Sequence, residues 1–291
     1  MEDILKNPLA GKSIEGQVVH SLDFSLDTRL PPDALPIVKT VIKEVEPKVA
    51  FVLDNVLSKS ECLYLINRGN ELGFHQVPGY NQKYRSQDRI LVNSVSLSIV
   101  VYKRILPFIP NHISTNEGTN SSYASNYLAA PKGEWDINSC NDLWRLCKYG
   151  PGGKFLSHYD GIYVKDTYNR SFFTFMIYLN DVPVSGATRF LDKNCDTAKV
   201  KIQPKAGSVL VFQHDIWHDG EILNDGEKYI IRSDIMYCKR DDKRDEDSIR
   251  KEREARLILN EAIEMEKSDP AKSISLYKKA FALYPPLEKI A

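Results

Sequence analysis

Cysteine is scarce in this chain: five thiols, Cys62, Cys140, Cys147, Cys195 and Cys238, among 291 residues. The number is odd and no two are spaced CxxC, which fits reduced thiols and not a disulfide framework. Long hydrophobic runs are missing too. The longest strongly apolar stretch, Phe172 to Leu179, is far shorter than the about 20 residues that span a bilayer as a helix. Net charge is absent, with 39 basic residues against 39 acidic. That balance favours neither nucleic acid nor an anionic membrane as partner. The opening "MEDILKNPLAGKS" lacks a basic segment followed by an apolar core, and the closing "LEKIA" is no ER-retention signal. These absences lead to the expectation of an intracellular protein, cytoplasmic or nuclear. What is present is a 42% hydrophobic, 10% aromatic composition, ample for a buried core.

The texture changes along the chain. Residues 1–45 show weak periodicity and the proline-bearing "LPPDALP", and read as a loosely structured lead-in. "PKVAFVLDNVLSKSECLYLINRGNELGF" reads as strand, turn and helix, with Ser58 and Glu61 forming a capping box and Cys62, Leu63, Leu65, Ile66 and Leu72 on the apolar face. Residues 90–110 read as strand then helix ended by Pro110, residues 111–135 as loop, and "YNQKYRSQDRI" (80–90) as a solvated loop or a substrate entrance. From Leu143 onward short apolar segments alternate with turns: "LWRLCKY", "FLSHYDGIYV", "FFTFMIYLN", "ATRFL", "AKVKIQPKAG", "SVLVFQH", "KYIIRSDIMYCK". This regular spacing predicts a β-sandwich or jelly roll. The expected fold class is mainly β with flanking helices, a double-stranded β-helix core followed by a C-terminal helical hairpin. The domains expected are a lead-in (1–45), a catalytic domain (46–240) and a tail (241–291).

The tail opens with a dense mixed-charge run, "KRDDKRDEDSIRKEREAR", read as a solvated linker and the exposed start of a helix. Two amphipathic stretches follow, one with Ala255, Leu259, Ala262 and Met265 in register. In the other Asp269 caps, Pro270 occupies the first turn, and Ile274, Tyr277, Ala280, Phe281 and Tyr284 form the stripe. The spacing is similar to a single tetratricopeptide-type hairpin. One such hairpin cannot bury its apolar face alone, so it is expected to cap the main domain or to dock a partner.

The chemistry concentrates around "HYDG" (158–161). Residues i and i+2 of a strand share a face, so His158 and Asp160 converge while Tyr159 points away, and Gly161 is positioned to relax the turn that follows. "GSVLVFQHDIWHDG" brings two more histidines to the end of a later strand. His218 is the favoured third ligand, and His214, as part of an H-x-x-x-H pair, is its rival. Two histidines and one carboxylate leave three adjacent octahedral positions open, the arrangement of non-haem Fe(II) oxygenases. Zinc would retain at most one. A 2-oxoglutarate co-substrate would need a cation for its far carboxylate. Lys228 and Arg232, four apart on a predicted strand, both meet that need.

In "YGPGGKFLSHYDG", "TFMIYLND", "SGATRF", "PKAGSVLVFQHDIWHDG" and "GEKYIIRSDIMY" the chain resembles the Fe(II)- and 2-oxoglutarate-dependent dioxygenases, on their prolyl 4-hydroxylase-like branch. The resemblance spans roughly residues 50 to 240. It implies that His158, Asp160 and His218 are both catalytic residues and metal ligands. Lys228 would be the 2-oxoglutarate anchor, with Arg232 as competing or assisting cation and Tyr149 and Tyr178 flanking the co-substrate. The implied cofactors are Fe(II), 2-oxoglutarate and O2, with ascorbate as an auxiliary reductant. One departure stands out: the family's "GGxTxF" reads "SGATRF" here, with Ser185 for the first glycine. The implied reaction hydroxylates a C–H bond, of a prolyl residue in a protein or peptide, with succinate and CO2 as co-products. A small-molecule hydroxylase is the alternative, and a non-enzymatic scaffold binding through its hairpin is a third reading.

Overall fold

The computed structural model describes residues 13–14, 16–31, 34–79, 81–115, 132–240 and 244–289. They fall into two compact units: Met1–Ile162 with Ser171–Tyr237, and Tyr163–Arg170 with Cys238–Ala291. In chain order the main elements are β1 (Gln17–Ser21), β2 (Val38–Val41), β3 (Ala50–Asp54), α1 (Lys59–Leu72), β4 (Asp88–Asn93), α2 (Val95–Ile105), β5 (Glu134–Cys140) and β6 (Leu143–Tyr149). Next come β7 (Lys154–His158), β8 (Val164–Asp166), β9 (Asn169–Tyr178), β10 (Thr188–Leu191), β11 (Ala198–Ile202), β12 (Val209–Gln213), β13 (His218–Gly220) and β14 (Lys228–Lys239). The helices α3 (Glu246–Met265) and α4 (Pro270–Leu283) close the series.

The first unit is mostly β-sheet with few helices, and its two sheets are consistent with a jelly roll. Its major sheet runs β1-β4-β6-β14-β9-β12-β3-β2, and its minor sheet runs β11-β10-β13-β7 with the short strand Arg85–Ser86 at the edge. The two-residue period of the strands sorts their side chains into two cores. Phe173, Phe175 and Ile177 of β9, Val209 and Val211 of β12 and Ile231 of β14 join Cys62 and Leu65 of α1 and Leu97, Val101 and Ile105 of α2. The alternate residues Met176, Tyr178, Leu210, Phe212 and Ile230 instead join Phe190 and Ile202 of the minor sheet. A near-continuous apolar strand such as β9 is therefore covered on both faces, by helices on one and by the minor sheet on the other. Trp144 meets Phe175 edge-on, ring centroids 5.3 Å apart, and emptying such a site costs about 3–5 kcal/mol.

Local signals account for the helices. Ser58 and Glu61 form the reciprocal capping box at the start of α1, and Ser94 caps α2 by accepting from the Leu97 N–H. The α1 face is narrower than its periodicity suggested, since Leu63 is exposed.

The lead-in is more ordered than its weak pattern implied. β1 joins β4 in parallel, and β2 pairs with β3 at the other edge. The region read as loop between 111 and 135 holds the strand His112–Ser114 paired with Glu134–Asp136, while residues 116–131 lie outside the described residues. Of the 80–90 segment, residues 81–84 are an exposed turn, as a solvated loop would be, whereas Arg85 and Gln87 are buried. Tyr80 lies outside the described residues.

In the second unit, β8 turns back on Asn169 and Arg170, and α3 and α4 bury Ala255, Leu259, Ala280 and Leu287 together. Asp269 caps α4 as expected, but Ile274 of the predicted stripe is 57% exposed. The charged run is not wholly solvated. Glu252 is fully buried, accepting from the Thr167 N–H and Oγ1 at 2.6 and 2.7 Å and pairing with Arg244 and Arg256. Arg244 also reaches Asp166 at 2.9 Å. A linear pattern cannot show that 163–170 comes to α3 with donors for this carboxylate. Residues 241–243 lie outside the described residues.

Candidate metal centre and its cavity

Two antiparallel strands of the minor sheet carry the histidines. His158 ends β7, His218 begins β13, and the two are direct Cα partners across a register shift that follows Phe155. The chain reaches β7 through the "GPGG" turn. There Gly153 has no room for a side chain, because a Cβ would lie 2.7 Å from the Gly150 carbonyl oxygen. Asp160 follows on the loop after β7, where its N–H donates to the His214 carbonyl at 3.1 Å.

Among the described residues, His158, Asp160 and His218 are the one group of three potential metal ligands, with ligand atoms within 4.8 Å of one another. Both rings are oriented by backbone. Nδ1 of His158 donates to Leu156 O at 2.7 Å, and Nδ1 of His218 to Ile216 O at 2.9 Å. Each Nε2 is thereby left as a lone pair 3.8 Å from an Asp160 oxygen. Aromatic walls fix the planes, Phe155 stacking on His158 at 3.7 Å and Phe212 meeting His218 edge-on at 4.8 Å.

The electrostatics suit a cation. Burial, then the neighbouring His218, push His158 down to about 3, and burial also lowers His218, so both rings are neutral near pH 7. Burial by itself would raise the Asp160 carboxyl. Arg232, then His218 and His158, overcome it and hold the group below the ordinary carboxylate range. Two neutral imidazoles and one carboxylate, with Nδ1–H groups tied to carbonyls, are a donor set that fits an iron site.

The cavity continues from these residues between the sheets, walled by Tyr149, Thr174, Met176, Thr188, Lys228 and Arg232 among others. The predicted pairing of Lys228 and Arg232 on one face of β14 holds, but they occupy different ends. Arg232 Nη2 lies 2.8 Å from Asp160 Oδ1. Lys228 Nζ donates to Gly186 O at 2.6 Å and sits 5.1 Å from the Tyr149 ring and 5.9 Å from the Tyr178 ring. Tyr149 is its direct cross-strand partner, and Tyr178 Oη donates to Thr188 at 2.8 Å. Burial lowers Lys228 to about 8 and raises both tyrosines.

The "SGATRF" departure is structurally inexpensive. The position that needs glycine is Gly186, with φ +68 and a Leu223 methyl 3.0 Å from where its Cβ would be. Ser185 instead accepts from the Asn224 N–H. Gly161 has neither a positive φ nor a neighbour within 4 Å of a built Cβ, so no glycine is required there. His214 does not join the ligand group; it stands 2% exposed behind Thr174.

Sequence reasoning missed Thr174, Thr188 and Arg145, which line the cavity, while Arg85 and Gln87, also in its wall, belong to the 80–90 segment offered as a substrate entrance. Thr174 had a signal: it is the lone aliphatic hydroxyl inside "FFTFMIYL", in step with Met176 and Tyr178.

Residues 144–233 match the family profile of the 2OG-Fe(II) oxygenase superfamily. This is a 2-oxoglutarate-dependent dioxygenase. Its cofactor set is Fe(II) and 2-oxoglutarate, with O2 as oxidant, which sets the non-enzymatic reading aside. Similar solved structures include a viral collagen prolyl hydroxylase from Paramecium bursaria Chlorella virus-1 in complex with 2-oxoglutarate. It is 22% identical, with 66% of this chain and 98% of that one covered and a TM-score of 0.41. A Pseudomonas putida prolyl-4-hydroxylase is 13% identical over 66% and 94% of the two chains, at a TM-score of 0.41. A Trichoplax adhaerens prolyl hydroxylase bound to a hypoxia-inducible-factor peptide fragment is 16% identical over 64% and 82%, at a TM-score of 0.45. No curated protein matches the chain in sequence. Among the described residues no helix is long and apolar enough to cross a membrane.

Proposed function

We propose that this dioxygenase hydroxylates a prolyl residue of a protein or peptide, within a catalytic domain of residues 46–240. In this reading His158, Asp160 and His218 are the Fe(II) ligands. The observation that carries it is the meeting of this donor triad and a buried lysine in one cavity. Bound Fe(II) and 2-oxoglutarate supply the oxidation of a C–H bond by O2, with release of succinate and CO2.

The chain's own residues bind, orient and exclude water. Lys228 pairs with the distal carboxylate of 2-oxoglutarate, because it is buried beside Tyr149 and Tyr178, which flank it, while Arg232 is taken up by Asp160. Arg232 stays at the metal end, close to Asp160. Phe155 and Phe212 keep the histidine rings dry, so their neutral form persists and their Nε2 lone pairs stay available.

The prolyl assignment rests on the sequence resemblance, and five free cysteines support an intracellular target, cytoplasmic or nuclear. The C-terminal helices are similar in spacing to a tetratricopeptide hairpin, and in this reading they either cap the main domain or dock a partner.

The test is succinate release with Fe(II), 2-oxoglutarate and ascorbate against proline-containing peptides and free amino acids, with mass spectrometry locating an added oxygen. Oxygen gained on proline supports the reading. Selective turnover of a free metabolite replaces it with a small-molecule hydroxylase.

A further inference from the structure

His214 is the histidine that the metal group leaves out, yet it is not idle. A continuous hydrogen-bonded chain runs Ser171–His214–Thr174–Asp160. Thr174 Oγ1 donates to Asp160 Oδ2 at 2.7 Å. With its single proton spent on the carboxylate, the threonine oxygen accepts from His214, whose Nδ1 lies at 3.0 Å. The other ring nitrogen, Nε2, lies 2.7 Å from Ser171 Oγ. All four residues are buried, at 0%, 2%, 0% and 5% exposure in chain order along that path. The same residue holds Asp160 a second way, through its carbonyl and the Asp160 N–H at 3.1 Å.

We propose that His214 is a positioning residue: by donating to Thr174 it commits the threonine proton to Asp160 and so fixes the plane in which that carboxylate meets the metal. The physical reason is directional. A threonine hydroxyl rotates freely; Arg232 Nη2 also reaches Thr174 Oγ1, but at 3.4 Å against 3.0 Å for the buried His214 ring, so His214 is the donor that sets its rotation. A donor locked behind it leaves one orientation. Carboxylates that ligate metals depend on such outer partners for geometry and basicity. The inference rests on the reading of Asp160 as a ligand, and its test separates the two.

The probe is Co(II) alone, titrated into the full chain and followed by its visible absorption, with thermal melting as the structural control. His214→Leu is expected to weaken Co(II) binding about 10–100-fold and to alter the absorption bands. His214→Asn, which retains an N–H donor near the Nδ1 position, restores most of the affinity. Thr174→Val reproduces the loss and Thr174→Ser does not. In the Thr174→Val background His214→Leu has no further effect, because it acts through that hydroxyl. Wild-type affinity and spectrum in a folded His214→Leu protein overturn the proposal, as does His214→Asn failing as badly as His214→Leu. If His214→Leu does not fold, the Thr174→Val and Thr174→Ser pair decides: equal affinity in both overturns it. Co(II) binding that survives His158→Ala and His218→Ala would instead refute the ligand assignment itself.

Discussion

Replacing Lys228 by methionine moves stability and co-substrate affinity in opposite directions. The lysine is buried, and burial lowers it from 10.5 to about 8, which corresponds to about 3 kcal/mol. Between pH 8 and 10.5 the unfolded chain binds this proton and the folded one does not. The cost of burial is therefore fully present below pH 8 and is relieved as pH rises towards 10.5. Losing the bond to Gly186 O returns about 1 kcal/mol of that cost. Lys228→Met should thus stabilise the ligand-free protein by about 2 kcal/mol at pH 7, a rise in Tm of about 4–8 °C. The gain should shrink at pH 9.5. In the same variant the 2-oxoglutarate carboxylate loses its lysine, about 3–5 kcal/mol, or about two to four orders of magnitude in KM. Melting at both pH values and 2-oxoglutarate-dependent succinate release measure the two effects. An unchanged KM, or a Tm that falls at pH 7, refutes the reasoning and moves the anchor to Arg232.

Arg232→Met should destabilise metal-free protein by about 2–3 kcal/mol, because it leaves the buried Asp160 without its guanidinium. Since Asp160 is held below its ordinary 3.8, this deficit is present above pH 4 and fades as pH falls through the carboxylate range. Added Co(II) should shrink it, and an equal deficit with and without metal in thermal melts contradicts the assignment. Gly186→Ala, forced to φ +68 against Leu223, should cost about 1–2 kcal/mol and raise KM for 2-oxoglutarate several-fold, because the Gly186 carbonyl holds Lys228. A KM equal to wild type would show that the carbonyl does not position the lysine. Glu252→Ala should cost about 2–3 kcal/mol locally by taking the buried carboxylate from half-buried Arg256 and one of two carboxylates from Arg244, which keeps Asp166. Hydrogen exchange in α3 and α4 reads this, and unchanged protection there would count against the network.

Local rules made much of the architecture legible. The capping box at Ser58, the cap at Asp269, and strands β6 and β14 follow from residue type and period, because their neighbours along the chain suffice to specify them. The spacing of His158, Asp160, His218 and Lys228 was likewise readable, because each lies at a strand end or in step with one. What stayed hidden depends on partners distant in sequence. β1 looks featureless until β4 pairs with it, and Glu252 looks solvated until residues 163–170 supply its donors. Lys228 and Arg232 are equivalent on a linear strand. Folding separates them, setting Asp160 against Arg232 and Tyr149 against Lys228. His214 likewise reads as a rival ligand, since sequence counts donors but cannot say which way a ring faces. Spacing thus identifies the groups able to hold iron, while the meeting of two sheets assigns each one its partner, because hydrogen bonds and ion pairs are set by distance in space.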